Sequence, residues 1–332
     1  MEVFKRNNYN VGFETHYAIM NQQINILCAC DENYAAYCGI MLTSLLEHNR
    51  GNYIVIYIFV SELSTKSIER FNSLKELFDC EINMIEPDKS VFDGCVMRDG
   101  DHVSLATYYR LVCGNILPEH VKKIIYLDCD VIVNTDLNEL WCVDLGNNVC
   151  GGVTDAFYIE ASGRLRIDTK YFNAGMLLID VEAFRRLDVS GKCFKLLRDD
   201  PERIKFHDQD LLNIVVGDRV KRLPLRWNML TAFLRTDHAE QYIAPEMEEE
   251  IAEEAVRPER LIIHYEYLPK PWQPWVMVRH PFYDLWHQVR RRSLWADAPL
   301  DRKVPFSRKL RIIALNIMWR LGIKRRPQYY II

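Results

Sequence analysis

The sequence predicts an α/β fold, a mostly parallel sheet with helices on both faces. Two observations carry this. Short apolar runs alternate with longer amphipathic ones, the pattern of β-α-β units with right-handed crossovers. The apolar runs are also continuous rather than alternating with polar residues, as in strands covered on both faces. The chain has 332 residues, 49% hydrophobic and 27% charged. That is an ordinary globular composition with ample material for a core.

Residues 1–23 read as a loosely ordered extension. "INILCAC" (24–30) is the first strand, and a helix-like stretch follows from 34 to 48. "YIVIYIFV" (53–60) is the second strand. Residues 64–78 form an amphipathic helix with Ser64 at its N-cap. "EINMIE" (81–86) is the third strand, and a loop with Gly94 and Gly100 follows. Residues 104–115 read as a helix carrying Arg110, and "KIIYLDCDVIV" (123–133) as a fourth strand. "NVCGGVTD" and "KYFNAGMLLID" supply two more, with a polar loop at 158–169 between them. "HDQDLLNIVV" (207–216) is a short helix whose acidic start suits the helix dipole. Residues 246–254 form an acidic helix or insert, "RLIIHY" (260–265) another strand, and "YLPKPWQPW" (267–275) a constrained loop.

Ten cysteines, all before residue 194, lie mostly in apolar contexts such as Cys28, Cys30, Cys113, Cys129 and Cys150, and no CxxC pair occurs. Reduced, buried thiols are expected. No apolar run reaches the ~18 residues of a membrane span, and the polar N-terminus lacks a signal-peptide core, so a cytoplasmic protein is expected. Residues 302–326 hold nine Lys or Arg and no acid, leaving the remainder of a chain of net charge −4 at −13. That asymmetry points to a partner for the tail.

"YLDCDVIV" (126–133) places two acids inside an apolar run. A strand core excludes unpaired carboxylates, because burying such a charge is costly. Residues i and i+2 of a strand share a face, so Asp128 and Asp130 are expected to point together, with Cys129 turned away. Two carboxylates at the carboxyl end of a parallel strand suit a divalent cation that also binds phosphate oxygens. The alternative is a hydrated acidic strand end. His264 ends a second apolar run and is placed to complete a metal shell, the alternative being a satisfied histidine at a strand edge. Mixed nitrogen and oxygen ligands favour Mn²⁺ over Ca²⁺, with Mg²⁺ the other candidate. Lys270, in the Pro-rich loop, is placed to neutralise a departing diphosphate.

Six blocks occur in order: "ACDENYAAY", "TYYRL", "IIYLDCDVIV", "YFNAGMLLID", "HDQDLLN" and "HYEYLPKPW". Through them the chain resembles family 8 of the retaining glycosyltransferases, with the GT-A nucleotide-sugar-binding fold. The likeness is greatest to bacterial lipopolysaccharide and lipooligosaccharide galactosyl- or glucosyltransferases. It implies that Ala29, Asp31, Asn33 and Tyr34 hold the uracil and ribose of a UDP-sugar; an Asx-turn and helix cap is their structural alternative. It implies that Arg110 lies near the diphosphate and donor sugar, against a surface salt bridge as the alternative. Asp128, Asp130 and His264 would be the Mn²⁺ ligands, and Lys270 would lie on the diphosphate. Asn173, Asp208 and Gln209 would contact the donor sugar, with Asp155 near sugar and acceptor. Asp210 is expected to be partly structural, with helix-start capping the alternative for both Asp208 and Asp210. One departure is Tyr267, standing where the family's diphosphate loop has glycine.

The resemblance implies transfer of galactose or glucose from a UDP-sugar to a glycan or glycolipid acceptor, such as lipopolysaccharide core, with retention. Gln209, an amide, stands where a double-displacement nucleophile would, so a front-face route is expected, with Asp208 the alternative nucleophile. Rival readings are a self-glucosylating transferase of the glycogenin kind and a non-catalytic nucleotide-sugar-binding protein. A nucleotidyltransferase would show a Gly-rich phosphate loop, and "CACDENYAAY" has no glycine before Gly39.

Residues 24–280 are expected to form the catalytic domain and 281–332 a basic helical region. In the latter, Phe306, Leu310, Ile313, Ile317 and Leu321 form a stripe at helical spacing. Basic charge beside that stripe suits an anionic membrane surface on the inner face of the plasma membrane, with a C-terminal helix docked on the body as the alternative. Nucleic-acid binding is not expected, because the rest of the chain is acidic.

Overall fold

The computed structural model describes residues 22–93, 95, 105–236, 243–267, 269–273, 278–300, 306–324 and 328–329. The expectations for residues 1–21 and for the Gly94–Gly100 loop lie outside them.

The parallel half is built from β1 (Gln23–Asp31), α1 (Ala35–His48), β2 (Tyr53–Ser61), α2 (Thr65–Leu77) and β3 (Cys80–Ile85). Ser64 caps α2 as expected, its hydroxyl accepting from Ser67 N–H. The strands are apolar at nearly every position because both faces are covered. Along β1, Ile26 and Cys28 enter the core on the α1 side, while Leu27 enters a second core on the other face. The segment expected as one helix at 104–115 is a 3₁₀ helix, Leu105–Val112, followed by one α-turn, Cys113–Ile116.

β4 (Lys123–Leu127), β6 (Cys150–Thr154), β7 (Phe172–Asp180) and β8 (Val220–Arg222) complete a seven-stranded sheet ordered β3-β2-β1-β4-β7-β6-β8. β7 runs against its neighbours β4 and β6, and the other pairings are parallel. A second, three-stranded sheet is ordered β5-β10-β9, from Val131–Val133, Ile262–His264 and Met229–Leu230.

Two expectations are corrected here. Residues 123–133 are not one strand. β4 ends at Leu127, Asp128 to Asp130 turn, and β5 joins the small sheet, pairing antiparallel with β10. Both halves are buried and apolar, so the sequence shows no seam where the hydrogen-bonding partner changes. The polar stretch 158–169 is not wholly loop. It contains α3 (Tyr158–Leu165), whose Ala161 and Leu165 pack with Tyr171.

α4 (Val181–Leu187), α5 (Val189–Asp199) and α6 (His207–Val216) cover the second face. α7 (Pro245–Ala255) is the acidic helix, with Pro245 in its first turn. α8 (Tyr283–Arg292) and α9 (Phe306–Arg320) follow. All ten cysteines are free thiols, most of them buried.

Candidate active site

The site lies where the two sheets meet, at the carboxyl ends of β1 and β4, where ligands bind in open α/β sheets. An open cleft of about 1300 Å³ runs across it. Every candidate residue named from the sequence lines this cleft except Asp155, which stands just behind the wall.

The turn between β4 and β5 does what the strand pleat was expected to do. Asp128 N–H is held by Gly175 C=O at 2.8 Å, and Asp130 C=O accepts from Tyr265 N–H at 2.9 Å. These bonds bring the two carboxylates to His264 at the end of β10. Ligand atoms of Asp128, Asp130 and His264 all lie within 4.8 Å of one another. Cys129 turns away, its Sγ donating to Ala29 C=O at 3.1 Å. Two carboxylates and an imidazole are a donor set that fits a divalent cation of the Mn²⁺ or Mg²⁺ kind. Gly175 makes room for the His264 ring and the Asp128 carboxylate. A β-carbon there would stand 2.1 Å from His264 Cε1 and 2.9 Å from Asp128 Oδ2.

Asp130 is paired on both oxygens, with His264 Nε2 at 3.2 Å from Oδ1 and Lys270 Nζ at 2.7 Å from Oδ2. Burial alone would raise its pKa, but the charges of Lys270 and His264 hold it well below the usual carboxylate range. Burial also opposes the charge on His264, yet Asp130 holds that imidazole above its ordinary value. A cation bound at Nε2 therefore displaces a proton.

Arg110 is not on a helix surface. Its guanidinium is buried, donating to Asp128 Oδ1 at 2.7 Å and to Ala174 C=O at 2.5 Å. Its Nε lies 2.8 Å from Asp208 Oδ2, an ion pair without hydrogen-bond alignment. Tyr126 lies under the guanidinium at 4.3 Å and also donates to Asp128. Burial pushes the Asp208 carboxyl up to about 7, with Arg110 opposing.

Gln209 is held at both ends. Its Oε1 accepts from Ala174 N–H at 2.9 Å, and its Nε2 faces Asp155 Oδ2 at 3.3 Å. Asp210 is structural: fully buried, it accepts from Arg164, Tyr171 and two backbone N–H groups, fixing the start of α6. Asp31 does form the turn considered as its alternative, accepting from Tyr34 N–H and from Asn33 Nδ2. Tyr34, Tyr37 and Trp272 form an aromatic series along the cleft wall, which Trp286 continues into the core. Two residues that position the site escaped the sequence reading. Gly175 is one, and Asn228, beneath His264, is the other. A lone glycine or asparagine carries no spacing signal.

The family profile described as "Glycosyl transferase family 8" matches residues 25–276. Among similar proteins, General stress protein A of Bacillus subtilis (strain 168) is 27% identical over 82% of this chain and 94% of its own length. A lipopolysaccharide 1,2-glucosyltransferase of Escherichia coli is 25% identical, covering 85% of this chain and 82% of its own. Among solved structures, the galactosyltransferase LgtC, crystallised with donor and acceptor sugar analogues, superposes with a TM-score of 0.69. It is 22% identical and covers 86% of this chain and 98% of its own.

Proposed function

The chain belongs to glycosyl transferase family 8, and from that premise we propose that it moves galactose or glucose from a UDP-sugar to a saccharide acceptor of the lipopolysaccharide-core type, retaining configuration. It is a glycosyltransferase with a nucleotide-sugar donor and a glycan acceptor. The observation that carries the finer reading is the meeting of Asp128, Asp130 and His264 at the cleft floor, with Lys270 on Asp130.

In this reading Asp128, Asp130 and His264 hold Mn²⁺ and Lys270 turns to the diphosphate. Ala29, Asp31, Asn33 and Tyr34 hold the nucleoside. Arg110, Asn173, Asp208 and Gln209 surround the hexose, with Asp155 behind them. The cation supplies Lewis-acid stabilisation of the departing diphosphate. Lys270 adds a positive charge where negative charge develops. The Gln209 carbonyl oxygen is occupied by Ala174 N–H, which leaves it a poor nucleophile. Asp208 faces the Arg110 side chain. Both contacts favour the front-face route, in which the leaving phosphate oxygen takes the acceptor proton. The test is the anomeric configuration of the product by NMR, with an α-linked UDP-hexose and core oligosaccharides as acceptors. An α-linked product is expected, and a β-linked one overturns retention.

We also propose that the C-terminal region rests on the inner face of the plasma membrane. No described helix is long and apolar enough to cross a membrane. α9 buries Ile312 and Trp319 on one side, while Leu310, Ile313, Ile317 and Leu321 of the expected stripe are exposed, at 46–67%. Phe306's side chain lies outside the described set. An outward apolar stripe among basic residues supports surface binding. Wild type should co-sediment with anionic vesicles in a salt-sensitive way. Replacing Ile313 and Ile317 by Glu removes about 1–2 kcal/mol each and should weaken binding roughly tenfold or more. Equal binding of the variant contradicts the membrane reading.

A further inference from the structure

Behind His264 lies a chain of buried side chains. The His264 Nδ1 is 3.0 Å from Asn228 Oδ1. Asn228 Nδ2 donates to Asn173 Oδ1 at 2.9 Å, and Asn173 Nδ2 donates to Asp155 Oδ2 at 3.0 Å. Asn228 is 0% exposed, His264 3%, Asn173 5% and Asp155 7%, so water does not compete for these bonds.

The direction of the chain follows from one backbone group. Gly175 N–H can only donate, and it donates to Asn173 Oδ1 at 2.9 Å. The other end of that amide is therefore the NH₂ that faces Asp155. Asn228 must then present its own NH₂ to Asn173 Oδ1, which turns its carbonyl oxygen to His264. A carbonyl oxygen accepts, so Nδ1 of His264 must carry a proton. The far end is fixed in the same way, with Asp155 Oδ1 accepting from Phe157 N–H at 2.9 Å. The tautomer thus follows without locating any hydrogen.

We propose that Asn228 is a positioning residue for the metal: through Asn228, Asn173 and Asp155 the protein holds His264 with its proton on Nδ1, leaving the Nε2 lone pair for the cation. A ligating histidine needs a partner on its other nitrogen, or ring and tautomer are free to change. Asn173 belongs to this chain and also lines the cleft, so contacts made by the hexose reach the metal ligand through two hydrogen bonds. The inference rests on the reading that Asp128, Asp130 and His264 hold the cation.

The test uses the full chain labelled with ¹⁵N-histidine and loaded with diamagnetic Mg²⁺, and measures Mn²⁺ affinity by electron paramagnetic resonance without sugar nucleotide. The neutral His264 ring should show a protonated Nδ1 and an unprotonated Nε2. Asn228→Leu should lose about 10–100-fold in Mn²⁺ affinity. Asn228→Asp keeps the acceptor toward Nδ1 but loses the donor toward Asn173, so it should restore the Nδ1–H signal and part of the affinity. A neutral wild-type ring protonated on Nε2, or wild-type affinity in Asn228→Leu, overturns the proposal. If Asn228→Leu does not fold, the wild-type spectrum decides alone. Neither readout depends on turnover, so failure of the transferase reading would be seen separately, as absence of hexose transfer with the tautomer intact.

Discussion

Asp130→Ala is expected to lower kcat/KM for UDP-sugar turnover by about 10³-fold or more, the equivalent of ~4 kcal/mol of transition-state stabilisation. Asp130 contributes twice in the proposed site, as a cation ligand and as the counter-ion that holds both His264 and Lys270. Its removal takes the shared counter-charge from both groups. The fold should survive, because Lys270 can move its ammonium into the open cleft, which it lines. Steady-state kinetics of UDP release, with thermal denaturation as the control for folding, checks this. Activity within tenfold of wild type would remove Asp130 from the metal site.

Arg110→Leu should produce the largest loss of stability, about 3–5 kcal/mol, because it strips the partner from the buried Asp208 carboxylate and from the half-buried Asp128. The side chain is 7% exposed and that of Asp208 5%, so water does not take over the pairing. The loss should depend on pH. The Asp208 carboxyl, raised to about 7 in the native protein, titrates near its ordinary value when unfolded. Below that ordinary value the group is neutral in both states and costs nothing. As pH rises toward 7 the unfolded state ionises first, and native stability falls. Without Arg110 the native carboxyl is raised further, so the deficit widens with pH. Urea melts at about pH 5 and about pH 8 check this, and an equal deficit at both contradicts the pairing.

The sequence made the parallel half of the fold legible because continuous apolar runs and capped amphipathic stretches are local signals. β1 to β3 and α2 lie within a residue or two of where those signals put them. It also brought Asp128, Asp130 and His264 together, though through a turn rather than a pleat. Apolar periodicity records burial and not which sheet a strand joins, so the seam at Asp128–Asp130 was hidden. α3 was hidden by its polarity, since only Ala161 and Leu165 of its eight residues are buried. Arg110 was placed at the site by the resemblance, but its pairing with Asp128 and Asp208 was not legible, because those partners are distant in sequence. The roles of Asn228 and Gly175 are steric and directional. They depend on β7 passing close under His264, which only the folded chain reveals.

The most direct measurement of the central claim is UDP release from a panel of UDP-sugars by the wild-type protein, with and without Mn²⁺. Turnover of UDP-galactose or UDP-glucose that requires the cation, slow without acceptor and faster with one, is the predicted result. Turnover of no UDP-sugar, or turnover indifferent to Mn²⁺, would contradict the assignment of Asp128, Asp130 and His264 as the metal centre of a hexosyltransferase.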